Sequence, residues 1–138
     1  MSSVRALVSV VTVVFNGEKY LEETIQSVIN QTYKNIELIV IDDGSKDNSV
    51  LKIQELISIC TNRFSRFEFR YRENKGLCNT LNEALKWANG EYFCTLASDD
   101  MIQPEKIELQ IQALREYPEA IACFGGVNII DKDNKIID

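Results

Sequence analysis

Apolar runs of two different periods alternate along this chain. Residues 6–15 (ALVSVVTVVF) form an unbroken β-prone run that Asn16-Gly17 stops. The spacing then becomes helical, with Tyr20, Leu21, Ile25, Val28 and Ile29 on one side and Glu22, Glu23 and Gln26 on the other. Residues 36–41 make a second strand. Val50, Ile53, Leu56 and Ile57 mark a second helix, its start crowded with the capping groups Ser45, Asp47 and Asn48. Residues 67–72 alternate apolar and polar, as a strand near a sheet edge does. After Asn74-Lys75-Gly76 a third helix turns Leu77, Leu81, Ala84, Leu85 and Ala88 inward and closes at Asn89-Gly90. Residues 92–97 are the fourth strand. Pro104 takes the first position of a fourth helix, with Glu105 in its first turn and Ile107, Ile111 and Leu114 inward. Residues 120–130 hold a fifth apolar segment, broken at Gly125-Gly126. Residues 131–134 are a hairpin turn, and 135–137 begin a return strand. Strand and helix alternate four times. The fold class is therefore α/β: three layers, a mainly parallel sheet, right-handed crossovers and helices on both faces.

Two strands end in acids. The buried run Ile36 to Ile41 passes directly into Asp42-Asp43-Gly44-Ser45, and Tyr92 to Ala97 into Ser98-Asp99-Asp100. In open α/β sheets ligands bind in the crevice beyond the carboxyl ends of the strands. Acids there also stabilise the start of a following helix, and that alone accounts for either pair taken singly. Two pairs at one edge point to a site. Ser98-Asp99-Asp100, on a short strand-to-loop junction, suits a hard divalent cation: Mg²⁺ or Mn²⁺ takes one or two carboxylates and completes its shell with phosphate oxygens and water.

Charge narrows the ligand. The net charge is −6 and histidine is absent, a poor match for nucleic acid or for an anionic membrane surface. An anionic ligand then needs a metal ion or local basic residues. Cys60, Cys78, Cys94 and Cys123 have no zinc-ligand spacing and read as reduced thiols of a cytoplasmic protein. The first five residues lack the features of a signal peptide, and no apolar run approaches the length of a bilayer span. The 138 residues read as one domain, the N-terminal part of a longer chain.

Val8-Ser9-Val10-Val11, Phe15-Asn16, Leu38 to Asp47, Asn74-Lys75-Gly76-Leu77 and Leu96-Ala97-Ser98-Asp99-Asp100 together, in order and spacing, resemble the family 2 glycosyltransferases of GT-A fold. The resemblance spans essentially the whole chain, and the strand ending Asp-Asp-Gly-Ser is its most specific element. It implies an enzyme that transfers a sugar from a nucleotide diphosphate, most simply a UDP-sugar, to an acceptor glycan or glycolipid with inversion, using Mn²⁺ or Mg²⁺. Phe15 matches the aromatic that packs on the base, and Asp43 the acid that accepts the uracil N3–H. Asp99 matches the metal ligand that ends the family's D-x-D, with Asp100 beside it on the metal and Ser98 near the ribose. Asn16 and Lys75 belong to loops flanking the nucleotide. The catalytic base is expected downstream of Asp138, so this part alone is expected to be inactive. The implied setting is polysaccharide or glycoconjugate assembly in the cytoplasm, at the inner membrane face in a longer protein.

The chain departs from the family at Val13-Val14 (usually Pro-Thr), at Ala97 (often the first Asp of D-x-D), and at Leu81 and Ala84 (commonly Arg and Gly). These positions bear on sugar and nucleotide preference. Two other readings compete: a non-catalytic nucleotide-sugar-binding module on the same fold, and a phosphoacceptor receiver domain. The receiver carries its acidic pair on the first strand, whereas here a whole strand and helix precede Asp42.

Overall fold

The computed structural model describes residues 5–137; residues 1–4, part of the stretch read above as lacking a signal sequence, and Asp138 lie outside them. Four strands, β1 (Val8–Val14), β2 (Ile36–Asp43), β3 (Arg66–Arg72) and β4 (Tyr92–Thr95), alternate with α1 (Leu21–Ile29), α2 (Ser49–Arg63), α3 (Leu77–Trp87) and α4 (Lys106–Glu116). All four strands pair in parallel, in the order β3-β2-β1-β4. The expected α/β layering is the one observed, with β3 at an edge.

Every residue of β2 is buried, which is why its apolar residues Leu38 to Ile41 run on without alternating. Val8, Val10 and Val14 with Ile36, Leu38 and Val40 pack under α1, α2 and α4. The alternate residues Val11, Ile39 and Ile41 meet Ala84 of α3 on the other face. The chain steps outward from β1 to β3, then returns beyond β1 to lay down β4. A right-handed crossover in the reverse direction puts its helix on the opposite face, and α3 lies there. The direction reverses between β1 and β4, which is where such sheets open a crevice.

Sequence and structure part in four places. On α3 the docked residues are Thr80 and Ala84, while Leu77 and Leu85 are exposed. Thr80 can be buried because its hydroxyl donates to the Gly76 carbonyl and accepts from Arg72, contacts no hydrophobic count reveals. On α2 the inward positions are Ile53 and Cys60, and Ile57 is exposed. Pro104 sits in a turn closed by Lys106 N–H donating to the Gln103 carbonyl, and α4 begins two residues later. Residues 120–130 form no strand, and Ile121, Phe124 and Val127 are almost fully exposed. The hairpin beyond them is present, with Ile130 bridged antiparallel to Ile136.

One buried and one half-buried charge hold the frame. Glu37, inside the apolar run of β2, accepts from Ser9 Oγ, Asn89 N–H and Arg66. Arg63, the last residue of α2, gathers carbonyls at and just past the end of α1: Ile29 from Nε at 2.8 Å, Lys34 from Nη1 at 3.2 Å, and Gln31 and Tyr33 from Nη2 at 3.0 and 2.9 Å. Arg63→Ala is expected to cost about 2 kcal/mol, because those carbonyls lose a charged donor. The cost is read as a lower urea midpoint at unchanged slope; an unmoved midpoint means that water serves them equally well.

Candidate functional site

At the carboxyl edge of the sheet the ends of β1, β2 and β4 and the start of α3 enclose a cleft of about 590 Å³. Asp42 and Asp43 part company here, because successive strand residues face opposite sides. Asp42 is on the α1–α2 side, where its Oδ1 accepts the Ser45 N–H at 2.8 Å and its Oδ2 is buried without a partner among the described residues. Asp43 is on the α3 side and lines the cleft.

Asp43 is held on both oxygens. Oδ1 accepts from the Arg72 guanidinium and from the Lys75 main-chain N–H at 2.8 Å, and Oδ2 from the Gly76 N–H at 3.0 Å. Burial pushes this carboxyl up, but the Lys75 amide and Arg72 together outweigh it and hold Asp43 below the usual carboxylate range. An ionised carboxylate accepts only, and Oδ2, with one protein donor, keeps capacity for another.

The β1–α1 and β2–α2 loops are laced together. Asn16, at φ 51, donates its N–H to Ser45 Oγ and accepts the Lys46 N–H on Oδ1, each at 2.8 Å. Gly17 N–H donates to Ser49 Oγ at 2.9 Å, and Glu18 N–H to Asp47 Oδ2 at 3.1 Å. Asn48 N–H returns the contact to Glu18 Oε2 at 2.8 Å. This lacing fixes the backbone that presents Phe15, whose side chain is half-exposed on the cleft.

The loop after β4 is anchored from α1. Thr24 Oγ1 donates to the Ser98 carbonyl at 2.9 Å, and Ile102 N–H donates to Ser27 Oγ at 3.2 Å. Fully buried Gln31 donates to the Gln103 carbonyl at 2.7 Å and accepts the Ile107 N–H at 3.2 Å. Gly17 completes the join: a Cβ there would stand 3.2 Å from Ser98 Oγ.

Phe15, Asn16, Asp43, Ser98 and Asp99 all line this one cleft. Lys75 and Asp100 do not. The Lys75 ammonium lies 3.6 Å from Glu83 and only its main-chain N–H serves Asp43, while Asp100 is in a turn with its N–H on the Ala97 carbonyl. Among the described residues no group of three or more His, Cys, Asp or Glu side chains converges to hold a metal. Sequence reasoning missed Arg72, Thr80 and Glu83, which brace Asp43. No sequence signal marked them: Arg72 ends β3 directly across from Asp43, a register that only the strand pairing shows.

The glycosyl transferase family 2 profile matches residues 9–137. Among curated proteins, an uncharacterized glycosyltransferase of Rickettsia conorii is 39% identical over 127 residues, 91% of this chain and 20% of the relative. Glycosyltransferase GlyG of Streptococcus pneumoniae is 37% identical over 128 residues, 92% of this chain and 41% of the relative. The chain thus spans well under half the length of these relatives. Among solved structures, Staphylococcus aureus TarS 1–349 in complex with UDP-GlcNAc aligns over 81% of this chain and 32% of its own, at TM-score 0.72 and 27% identity. The mannosyltransferase PcManGT of Pyrobaculum calidifontis, solved with GDP-Man and Mn²⁺, aligns over 81% and 33% at TM-score 0.73; at 21% identity it speaks to the fold alone. That fold is GT-A. A match running from β1 to the final hairpin, with close relatives that bear the same name, leaves one assignment: the chain belongs to glycosyl transferase family 2.

Proposed function

We propose that this chain binds the donor of an inverting glycosyl transfer, a UDP-sugar, in the cleft between β1, β2 and β4, together with a divalent cation at Asp99. The observation that carries the reading is that Asp43, at the end of β2, and Asp99, in the loop after β4, reach one cleft from either side of β1 beside the exposed ring of Phe15. TarS, solved with UDP and with UDP-GlcNAc, supports the donor class.

The residues fit a cation held jointly with the ligand. Asp99 is an exposed carboxylate at the cleft, and one or two carboxylates completed by phosphate oxygens are what Mn²⁺ or Mg²⁺ takes. When bound, the ion supplies positive charge to the departing diphosphate. The chain's own residues do the rest of the binding: Phe15 stacks on the base, Asp43 accepts its N–H, and Ser98 lies toward the ribose. Of the lining residues only Asp43 and Asp99 are carboxylates, and both are committed. The base that takes the acceptor proton is therefore assigned outside this cleft. These residues alone are expected to bind donor without turning it over. Assembly of a glycan or glycolipid on the cytoplasmic side is the setting this reading implies.

Calorimetric titration of UDP with and without Mn²⁺ tests it. Mn²⁺ is expected to tighten UDP binding by roughly tenfold in the unaltered chain and to have no effect in Asp99→Ala. No UDP binding overturns the reading. Mn²⁺ dependence that survives Asp99→Ala moves the cation elsewhere.

A further inference from the structure

Resting on the nucleotide reading above, we infer that Arg72 is a specificity-determining residue. Braced by Glu83 and Thr80, it fixes Asp43 as a pure hydrogen-bond acceptor, so that the cleft takes a base edge bearing an N–H and rejects one bearing a lone pair. Arg72 does not act on the ligand directly. Its guanidinium makes four hydrogen bonds, Nε to Glu83 Oε2 at 3.1 Å, Nη1 to Asp43 and to the Glu73 carbonyl at 3.0 Å, and Nη2 to Thr80 Oγ1 at 2.9 Å, and Nη2 also stands 3.0 Å from Glu83 Oε2 as an ion pair. It is committed to protein groups and not to a phosphate. The guanidinium works through Asp43.

The support is built from two elements. Arg72 ends β3 opposite Asp43, and Glu83 and Thr80 approach from α3. Thr80 gives its own proton to the Gly76 carbonyl, so its oxygen faces Arg72 as an acceptor. The charged groups around Asp43 are thus Arg72 from β3, Glu83 from α3 and Lys75 from the intervening loop, whose ammonium stands by Glu83. From β1, only Val11 and Val13 share this lining.

The consequence is chemical. An ionised Asp43 accepts from uracil N3–H and has nothing to offer cytosine N3, which is itself an acceptor. A protonated Asp43 donates, and the preference is lost. Burial is the largest influence on this carboxyl and acts toward protonation. Arg72 acts against that burial both by its hydrogen bond and by its charge, and without it the charge is gone and the Lys75 amide is the main opposition left.

The test compares UDP and CDP by calorimetry, at pH 7.5 and 6.0, for the unaltered chain, Arg72→Met, Arg72→Lys and Glu83→Gln. The unaltered chain is expected to favour UDP by about a hundredfold, the yield of a hydrogen bond to a charged group set against an unpaired acceptor. Arg72→Met is expected to bring that ratio under about tenfold, and lower at pH 6.0. Arg72→Lys recovers part of it, and Glu83→Gln falls between. Carboxyl-carbon NMR of ¹³C-labelled aspartate, with no nucleotide present, is expected to show Asp43 titrating at higher pH in Arg72→Met. A lowered melting temperature with the ratio and the titration both unchanged makes Arg72 a structural pin and overturns the inference alone. Binding of neither nucleotide by the unaltered chain overturns the inference and the nucleotide reading together.

Discussion

Asp43→Asn is expected to weaken UDP binding by about a hundredfold, the largest loss from a change this small anywhere in the cleft. The substitution keeps the shape and removes the charge. Donors meet Asp43 on both oxygens, Arg72 and the Lys75 amide on one and the Gly76 amide on the other. An asparagine must present its NH₂ to one of those two sides, so it sets donor against donor. If the amide turns toward Gly76, the oxygen with spare capacity is the one lost. Calorimetry with UDP reads the affinity, and a melting curve reads the fold. An affinity within threefold of the unaltered chain would place the base elsewhere.

The same variant should change acid stability in a defined direction. Asp43 and Asp47 both sit below the usual carboxylate range in the folded chain. Burial pushes each upward, and hydrogen bonds, from Lys75 and Arg72 at Asp43 and from Ser49 at Asp47, outweigh it. A carboxyl whose folded pKa is depressed contributes stability that is fully present above its unfolded value, near 4. That contribution is lost as pH falls through the lower folded value. Acid unfolding of the unaltered chain is therefore expected below about pH 4, and Asp43→Asn should lessen the slope of stability against pH there.

Gly44→Ala carries the second large effect, this time on stability. Gly44 has φ +83°, a conformation that costs an L side chain of order 1–2 kcal/mol. Space is the greater difficulty. A Cβ there would stand 2.6 Å from the Asn74 main-chain nitrogen and 3.2 Å from its Cα. Main chain does not swing aside as a side-chain tip can. Asn74 is also tied to β2, its Nδ2 donating to the Asp43 carbonyl at 2.8 Å. The combined cost is expected at about 3 kcal/mol or more. A urea midpoint measures it, and a loss under about 1 kcal/mol means the Asn74 turn moves freely. UDP affinity should fall as well, because Lys75 and Gly76 follow Asn74 directly.

Much of this was readable from the residues. Parallel strands buried on both faces need long β-branched runs, and β1 and β2 have them, so the α/β layering and the acids at strand ends stood out. The period of two separates Asp42 from Asp43 as soon as one face is assigned to α3. What could not be read was anything that depends on register or on contacts between distant segments. Arg72 looked like the polar half of an edge-strand alternation until pairing set it across from Asp43. Thr24 within α1 and Gln31 just past its end carry no sign in the sequence of their task, yet they hold the loop that bears Asp99. Leu77 and Leu85 obeyed helical period and still faced solvent, because a hydrogen-bonded Thr80 took the inward place.

The lacing of the β1–α1 loop to the β2–α2 loop has a consequence for how this protein can vary. Asn16, Gly17 and Glu18 are clasped by Ser45 through Ser49 with crossed contacts: Asn16 meets Ser45 and Lys46, Gly17 reaches on to Ser49, and Glu18 comes back to Asp47 and Asn48. A residue added to either turn pulls several of these crossed contacts out of reach together. Length changes in these two turns should therefore be tolerated only in matched pairs, and grafting one turn from a relative should fail where grafting both succeeds.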